Sequence, residues 1–153
     1  MIEEDRHIMV KIEEAAYMRY EEAKEQIKSK DISTIIKHLV KLWFKFYGED
    51  AEEINCGNCE GFAGDVVDLL PEAESFWGDA FSAEFWGFSE EDVSYLTSGH
   101  CFILYMGKFY DSECSEGVDH PRDLPFFKIE IEWQKHLKRP SYSKKKKKQL
   151  VQG

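Results

Sequence analysis

No apolar run in this 153-residue sequence approaches the length that crosses a bilayer, so no membrane span is expected. The opening residues, MIEEDR, are acidic and lead into no apolar segment. That speaks against a secretory signal peptide and makes a reducing, cytoplasmic compartment the expectation. Basic residues are in deficit, with 20 Lys and Arg against 30 Asp and Glu and a formal net charge of −10. Five of the lysines stand together in residues 144–153, KKKKKQLVQG, so residues 1–143 carry −15. A body that acidic repels phosphate backbones, which argues against nucleic acid as the main partner. Cysteine is scarce, with four in all. In a reducing compartment such cysteines serve as thiols, metal ligands or catalytic groups rather than as structural disulfides. No internal repeat is visible.

The length suits one domain with a real core, and an apolar content of 42% is enough to build it. Residues 3–28 carry Ile8, Met9, Ile12, Ala16, Tyr20, Ala23 and Ile27 at helical spacing. A second helix, capped by Asp31 or Ser33, is expected through IIKHLVKLWFKFYG to Gly48. EDAEEIN then reads as a polar linker. After Cys59, the residues Phe62, Ala63, Val66 and Leu70 fall on one helical face, and Pro71 ends that helix. Residues 72–88, rich in aromatics around two glycines, read as irregular packed structure, and SEEDVSYL as a short helix. The period then changes to two. HCFILYMGKFYD (100–111) reads as a β-hairpin turning at Gly107, and KIEIEW (128–133) as a third strand. Helices first and strands later predict an α+β domain over residues 1–139, helical over 1–48, with an antiparallel sheet packed on a helix. Residues 140–153 read as a disordered basic tail.

The stretch INCGNCEGFAGDVV (54–67) holds Cys56 and Cys59 in a Cys-x-x-Cys spacing. Zinc would need further ligands from His100, Cys101 or Cys114, but a second tight ligand pair is missing, so no metal and no cofactor are expected. A thioredoxin-like redox pair would follow a buried strand, which EDAEEIN is not. Two buried structural cysteines remain an alternative. A third reading places a nucleophilic thiol at a helix N-terminus, where the dipole and unpaired N–H groups favour the thiolate and can hold an oxyanion. Cys59 begins the apolar helical face, while Cys56 precedes it in a Gly/Asn turn. Gly57 would let a substrate approach the backbone closely.

NCEGFA resembles the Asp-Cys-Ser-Gly-Phe/Leu-Val stretch of NlpC/P60-type cysteine peptidases, and CGNCEGFA is similar to the Cys-Gly-Ser-Cys-Trp-Ala-Phe stretch of papain. In both comparisons the nucleophile falls on Cys59. GHCFILYMGKFYD resembles the NlpC/P60 strand His-Val-Gly-Ile-Tyr-x-Gly, which makes His100 the implied general base and Asp111 the implied orienting residue. The resemblance covers roughly residues 55–111 and implies a papain-like core within residues 54–133. Two departures stand out. Glu60 occupies the place of Ser or Trp, and no glutamine precedes the pair, so Asn55 or Asn58 would have to supply a side-chain oxyanion donor. The implied activity is a cysteine hydrolase cleaving an amide or isopeptide bond in a peptide, a peptidoglycan stem or a protein side chain, in an intracellular or phage-type setting. The same acyl-enzyme passed to an amine would give a transglutaminase-like or deamidating enzyme. A catalytically silent papain-like domain that binds a protein is the alternative from another class. Without Cys59, His100 reads as a strand-edge histidine and Asp111 as a hairpin-end carboxylate.

Overall fold

The computed structural model describes residues 3–137; the basic tail and the rest of residues 138–153 lie outside the described residues. So do the side chains of Ile8, Met9 and Ile12 in the expected stripe of the first helix. That helix is α1 (Glu3–Glu25), which packs on α2 (Ile32–Tyr47). Asp31 caps α2 by accepting from the Thr34 N–H at 2.9 Å, and Gly48 ends it in the left-handed region at φ 70°. Ile32, Ile35, Ile36, Leu39 and Trp43 are buried along α2, the three-and-four spacing of a helix seated in the core.

The expected linker EDAEEIN is instead a short helix, α3 (Ala51–Asn55). Its start carries a reciprocal cap: the Glu53 N–H donates to Asp50 Oδ1 at 2.9 Å and the Asp50 N–H to Glu53 Oε1 at 3.3 Å. The Asp-x-x-Glu spacing that signals it is present in the sequence. Next, α4 (Cys59–Leu69) buries Cys59, Phe62, Ala63, Val66 and Leu69 on one face and packs on the central strand of the sheet.

That sheet has four antiparallel strands in the order β1 (Glu74–Gly78), β2 (His100–Tyr105), β3 (Lys108–Asp111) and β4 (Cys114–Val118). The hairpin β2–β3 stands where it was expected, turning at Gly107, with the other two strands unforeseen. β1 lies in the segment expected to be irregular and pairs Trp77 with Cys101 and Gly78 with His100. Its glycine is required by packing: a Cβ on Gly78 would lie 2.8 Å from a ring carbon of Phe102 and 3.2 Å from one of Phe127. β4 is short and carries Ser115, Glu116 and Gly117 between Cys114 and Val118, so no apolar alternation announced it.

KIEIEW, expected as a strand, lies inside α6 (Pro125–Leu137). Pro125 starts the helix, and Phe127 and Ile131, four apart, are buried while Ile129 and Trp133 are exposed. Apolar residues at 129, 131 and 133 alternate, but only one of them meets the core. Burial along the 127–131 spacing, together with Leu124, outweighs the strand propensity of the isoleucines.

The sheet is covered on both faces. Cys101 and Ile103 belong to the cluster built by α2 and α4, whereas Phe102 belongs to the cluster built by Leu124, Phe127 and Ile131. Short helix α5 (Glu90–Ser94) is held to the second layer through buried Asp92, which accepts from Arg122 Nε and from Lys135 Nζ at 3.1 Å. The architecture is α+β.

Candidate active site

His100 opens β2 and is completely buried. The hairpin that follows turns through Met106 (φ 49°) and Gly107 (φ 77°), both left-handed, which makes a two-residue turn of the kind that matches strand twist. It pairs Tyr105 with Lys108 and Ile103 with Tyr110. Continued one step, that register sets Asp111 opposite Phe102, on the face of the sheet that His100 shares. His100 Nε2 and Asp111 Oδ2 are 2.9 Å apart. The other carboxylate oxygen, Oδ1, accepts the Glu113 N–H at 2.9 Å, so Asp111 is fixed by its own turn. Ser112 Oγ donates to the Ala51 carbonyl at 2.7 Å and Asn55 Nδ2 to Glu113 Oε1 at 2.8 Å, which fastens the turn to α3.

A carboxylate only accepts, so the Nε2–H of the neutral ring donates to Asp111 and Nδ1 is left as the basic atom. Nδ1 is buried and makes no hydrogen bond within the described residues. Phe126 stacks on the imidazole at 4.2 Å between centroids and 16° between planes, and Phe127 meets it edge-on. The ring is therefore held in one orientation with one face dry.

Cys59 is the first residue of α4 and 7% exposed. Its N-cap, Asn58, makes no side-chain cap bond to the helix. The Cys101 backbone N–H donates to Cys59 Sγ at 3.4 Å. Burial opposes ionisation of this thiol most strongly, but the neighbouring His100 imidazole, the Cys101 N–H and the Glu60 N–H together hold it below its ordinary value. The imidazole responds in the opposite sense. Burial pushes it down, and Asp111 and Cys59 outweigh that and raise it. The pair thus favours thiolate and imidazolium together. Glu60 is exposed, and its backbone N–H is among the groups that lower Cys59.

The other three thiols move the other way. Burial, then the Cys59 and Glu60 charges, push Cys101 up to about 12. Burial also raises Cys114, and burial with nearby carboxylates raises Cys56. Among the described residues no group of three His, Cys, Asp or Glu side chains is placed to hold a metal ion.

A pocket of about 290 Å³ opens beside Cys59. Asn55, Cys56 and Gly57 of the α3–α4 junction line it with Cys59, as do Trp77 of β1, Ser98 and Gly99 before β2, and Phe126 of α6. Of the candidate oxyanion and substrate residues, Asn55 and Gly57 therefore reach the pocket. Asn58 does not line it; its side chain is exposed and Nδ2 donates to Glu49 Oε1 at 2.6 Å. Asn55 has turned its nitrogen to Glu113, which leaves Oδ1, an acceptor, without a partner. Neither asparagine side chain offers a free donor beside Cys59, where the start of α4 presents its first-turn N–H groups.

Sequence reasoning missed Phe126, Trp77, Ser98 and Gly99. Phe126 came with the misread C-terminal segment; Pro125 directly before it was the available helix-start signal. The 97–99 segment is held by Glu130 of α6, whose Oε1 accepts from the Thr97 hydroxyl and from the Ser98 N–H at 3.2 Å. No protein-family model matches this chain, and comparison with curated proteins and with solved structures finds no match either.

Proposed function

We propose that this protein is a cysteine hydrolase of papain-like architecture, nearest to the NlpC/P60 pattern, acting on an amide or isopeptide bond. One observation carries the reading: of four thiols, only Cys59 is shifted toward the thiolate, at a helix start, beside a buried histidine held by a carboxylate at 2.9 Å. In the proposed reaction Cys59 Sγ attacks the carbonyl carbon as its proton passes to His100 Nδ1. The carbonyl electron pair moves onto oxygen and meets the first-turn N–H groups of α4. Collapse breaks the C–N bond, and the imidazolium gives its proton to the leaving amine. Water, deprotonated by His100, then attacks the thioester and frees the thiol and a carboxylic acid. Asp111 accepts from Nε2 throughout, keeps Nδ1 toward the thiol and stabilises the charged ring. An amine in place of water would make the same site a transglutaminase-like acyl transferase. Peptides, peptidoglycan stems and protein side chains all fit this chemistry.

A second reading, a catalytically silent binding domain, draws on the exposed aromatics of 76–88: Phe81 is 98% and Phe85 82% exposed. Limiting iodoacetamide near pH 7, read by peptide mass spectrometry, separates the two. The hydrolase reading expects Cys59 to label ahead of Cys56, Cys101 and Cys114, and His100→Ala to remove that lead. If exposed Cys56 labels first and His100→Ala changes nothing, the binding domain takes its place.

A further inference from the structure

Trp77 is a large apolar side chain that the core leaves unused. It belongs to neither core cluster and is 49% exposed. Among the described residues its ring meets no other aromatic ring and its indole N–H has no hydrogen-bond partner. Of the large apolar side chains that stand exposed there, it alone lines the pocket beside Cys59. The sheet fixes its place: β1 pairs Trp77 with Cys101, whose N–H donates to Cys59 Sγ at 3.4 Å. A cross-strand pair shares one face, and Cys101 belongs to the cluster built by α2 and α4. The indole therefore stands on the side from which α4 presents its thiol.

The rest of the lining suits an apolar occupant. Phe126, its second aromatic, stacks on the His100 imidazole at 4.2 Å. Gly57 and Gly99 contribute only backbone, and a Cβ on Gly99 would lie 3.6 Å from Trp77 Cε3, so a longer side chain there would crowd the indole. No lining residue is acidic or basic. A carbonyl attacked by Cys59 brings its neighbouring group to this pocket. A charged group would give up water there without meeting a counter-charge, whereas an apolar ring leaves water and covers the indole. The volume, about 290 Å³, exceeds the roughly 150 Å³ that accepts a benzene ring.

We propose that Trp77 is the specificity-determining residue of this site: its indole, with Phe126, takes up an aromatic or large apolar side chain beside the carbonyl that Cys59 attacks. This rests on the cysteine-hydrolase reading and names the substrate class for it. Edge-to-face or offset contact with the indole adds to the area buried, which favours an aromatic side chain over an aliphatic one.

The test uses three chloromethyl ketones with one warhead, built on N-acetyl-phenylalanine, N-acetyl-glutamine and N-acetyl-alanine. Each alkylates Cys59 by forming one C–S bond and expelling chloride. The phenylalanine reagent is expected to modify Cys59 at least about tenfold faster than either of the others. Trp77→Ala and the strand-favouring Trp77→Thr should lose most of that ratio, and Trp77→Phe should keep it. Trp133→Ala removes an exposed tryptophan of α6 outside the pocket and should leave the ratio intact. Iodoacetamide carries no side chain, so its preference for Cys59 should survive all four substitutions. Equal rates for the three reagents, with iodoacetamide still favouring Cys59, overturn the apolar subsite and leave the hydrolase standing. A ratio that persists in Trp77→Ala or Trp77→Thr, with native circular dichroism, overturns the role of Trp77 too. If neither reagent class favours Cys59, both proposals fall.

Discussion

Asp111→Asn changes one atom's worth of chemistry and should disable the site through its tautomer. In the native protein Oδ1 accepts the Glu113 N–H and Oδ2 lies 2.9 Å from His100 Nε2. An asparagine that keeps its oxygen on the Glu113 N–H presents its NH₂ to Nε2. The ring must then carry its proton on Nδ1 and point a donor, not a base, at Cys59. The flipped amide restores the tautomer but sets NH₂ against the Glu113 N–H, leaving a buried donor unmet at about 1–3 kcal/mol. Either way the imidazolium loses a charged partner whose hydrogen bond is worth about 1.5–3 kcal/mol, or one to two units of pKa at about 1.4 kcal/mol each. The sign follows: His100 falls from its raised value, Cys59 rises from its lowered one, and the pH window in which thiolate and imidazolium coexist narrows from both ends. The assay is the pH dependence of Cys59 carboxamidomethylation. Its low-pH limb should move up by one to two units, about a tenfold to a hundredfold loss of rate below the native plateau. A limb that stays in place, in a variant whose circular dichroism is native, would refute the role given to Asp111.

Ile131→Ala and Ile129→Ala separate the helix from the alternation that suggested a strand. Ile131 is fully buried and should lose about 2–4 kcal/mol in urea denaturation, while Ile129, 62% exposed, should lose less than about 0.5; equal losses would favour a strand. Glu130→Ala releases the Thr97 and Ser98 donors, so their amides should exchange faster than those of β2, with Cys59 labelling slowed. Burial works against ionised Asp92, but Arg122 and Lys135 win and hold its carboxyl below the usual range. That stabilisation is therefore complete above about pH 4, the unfolded value, and drains away as pH falls through the lower folded one. Asp92→Asn should flatten the acid limb of the stability–pH curve; a limb unchanged by the substitution would remove Asp92 from it.

Much was written locally. Apolar spacing with Asp31 and Gly48 bounded α2, the residues after Cys59 specified the buried face of α4, and two strand-like runs about a turn at Gly107 specified the β2–β3 hairpin. The order of Cys59, His100 and Asp111 at the ends of their elements marked the three side chains as candidates. These signals are local because caps, turns and periodicity are set within a few residues. What the sequence left open needed distant partners. KIEIEW alternates like a strand, yet only Ile131 finds the core, because Phe127 and Leu124 fix the burying face at helical spacing. The 72–88 segment looked irregular, since β1 becomes a strand only by pairing with β2, more than twenty residues on. β4 had no apolar signal and exists through its ladder with β3. The site divides in the same way. Residue types named Cys59, His100 and Asp111, but the turn register decided that His100 and Asp111 share a face, and packing of α6 brought Phe126 onto the imidazole. Tertiary packing also turned the Asn55 nitrogen to Glu113, which changed an expected oxyanion donor into an open acceptor. A residue's type fixes what chemistry it can do; its partners, set by chain segments far away in sequence, determine which part of that chemistry is used.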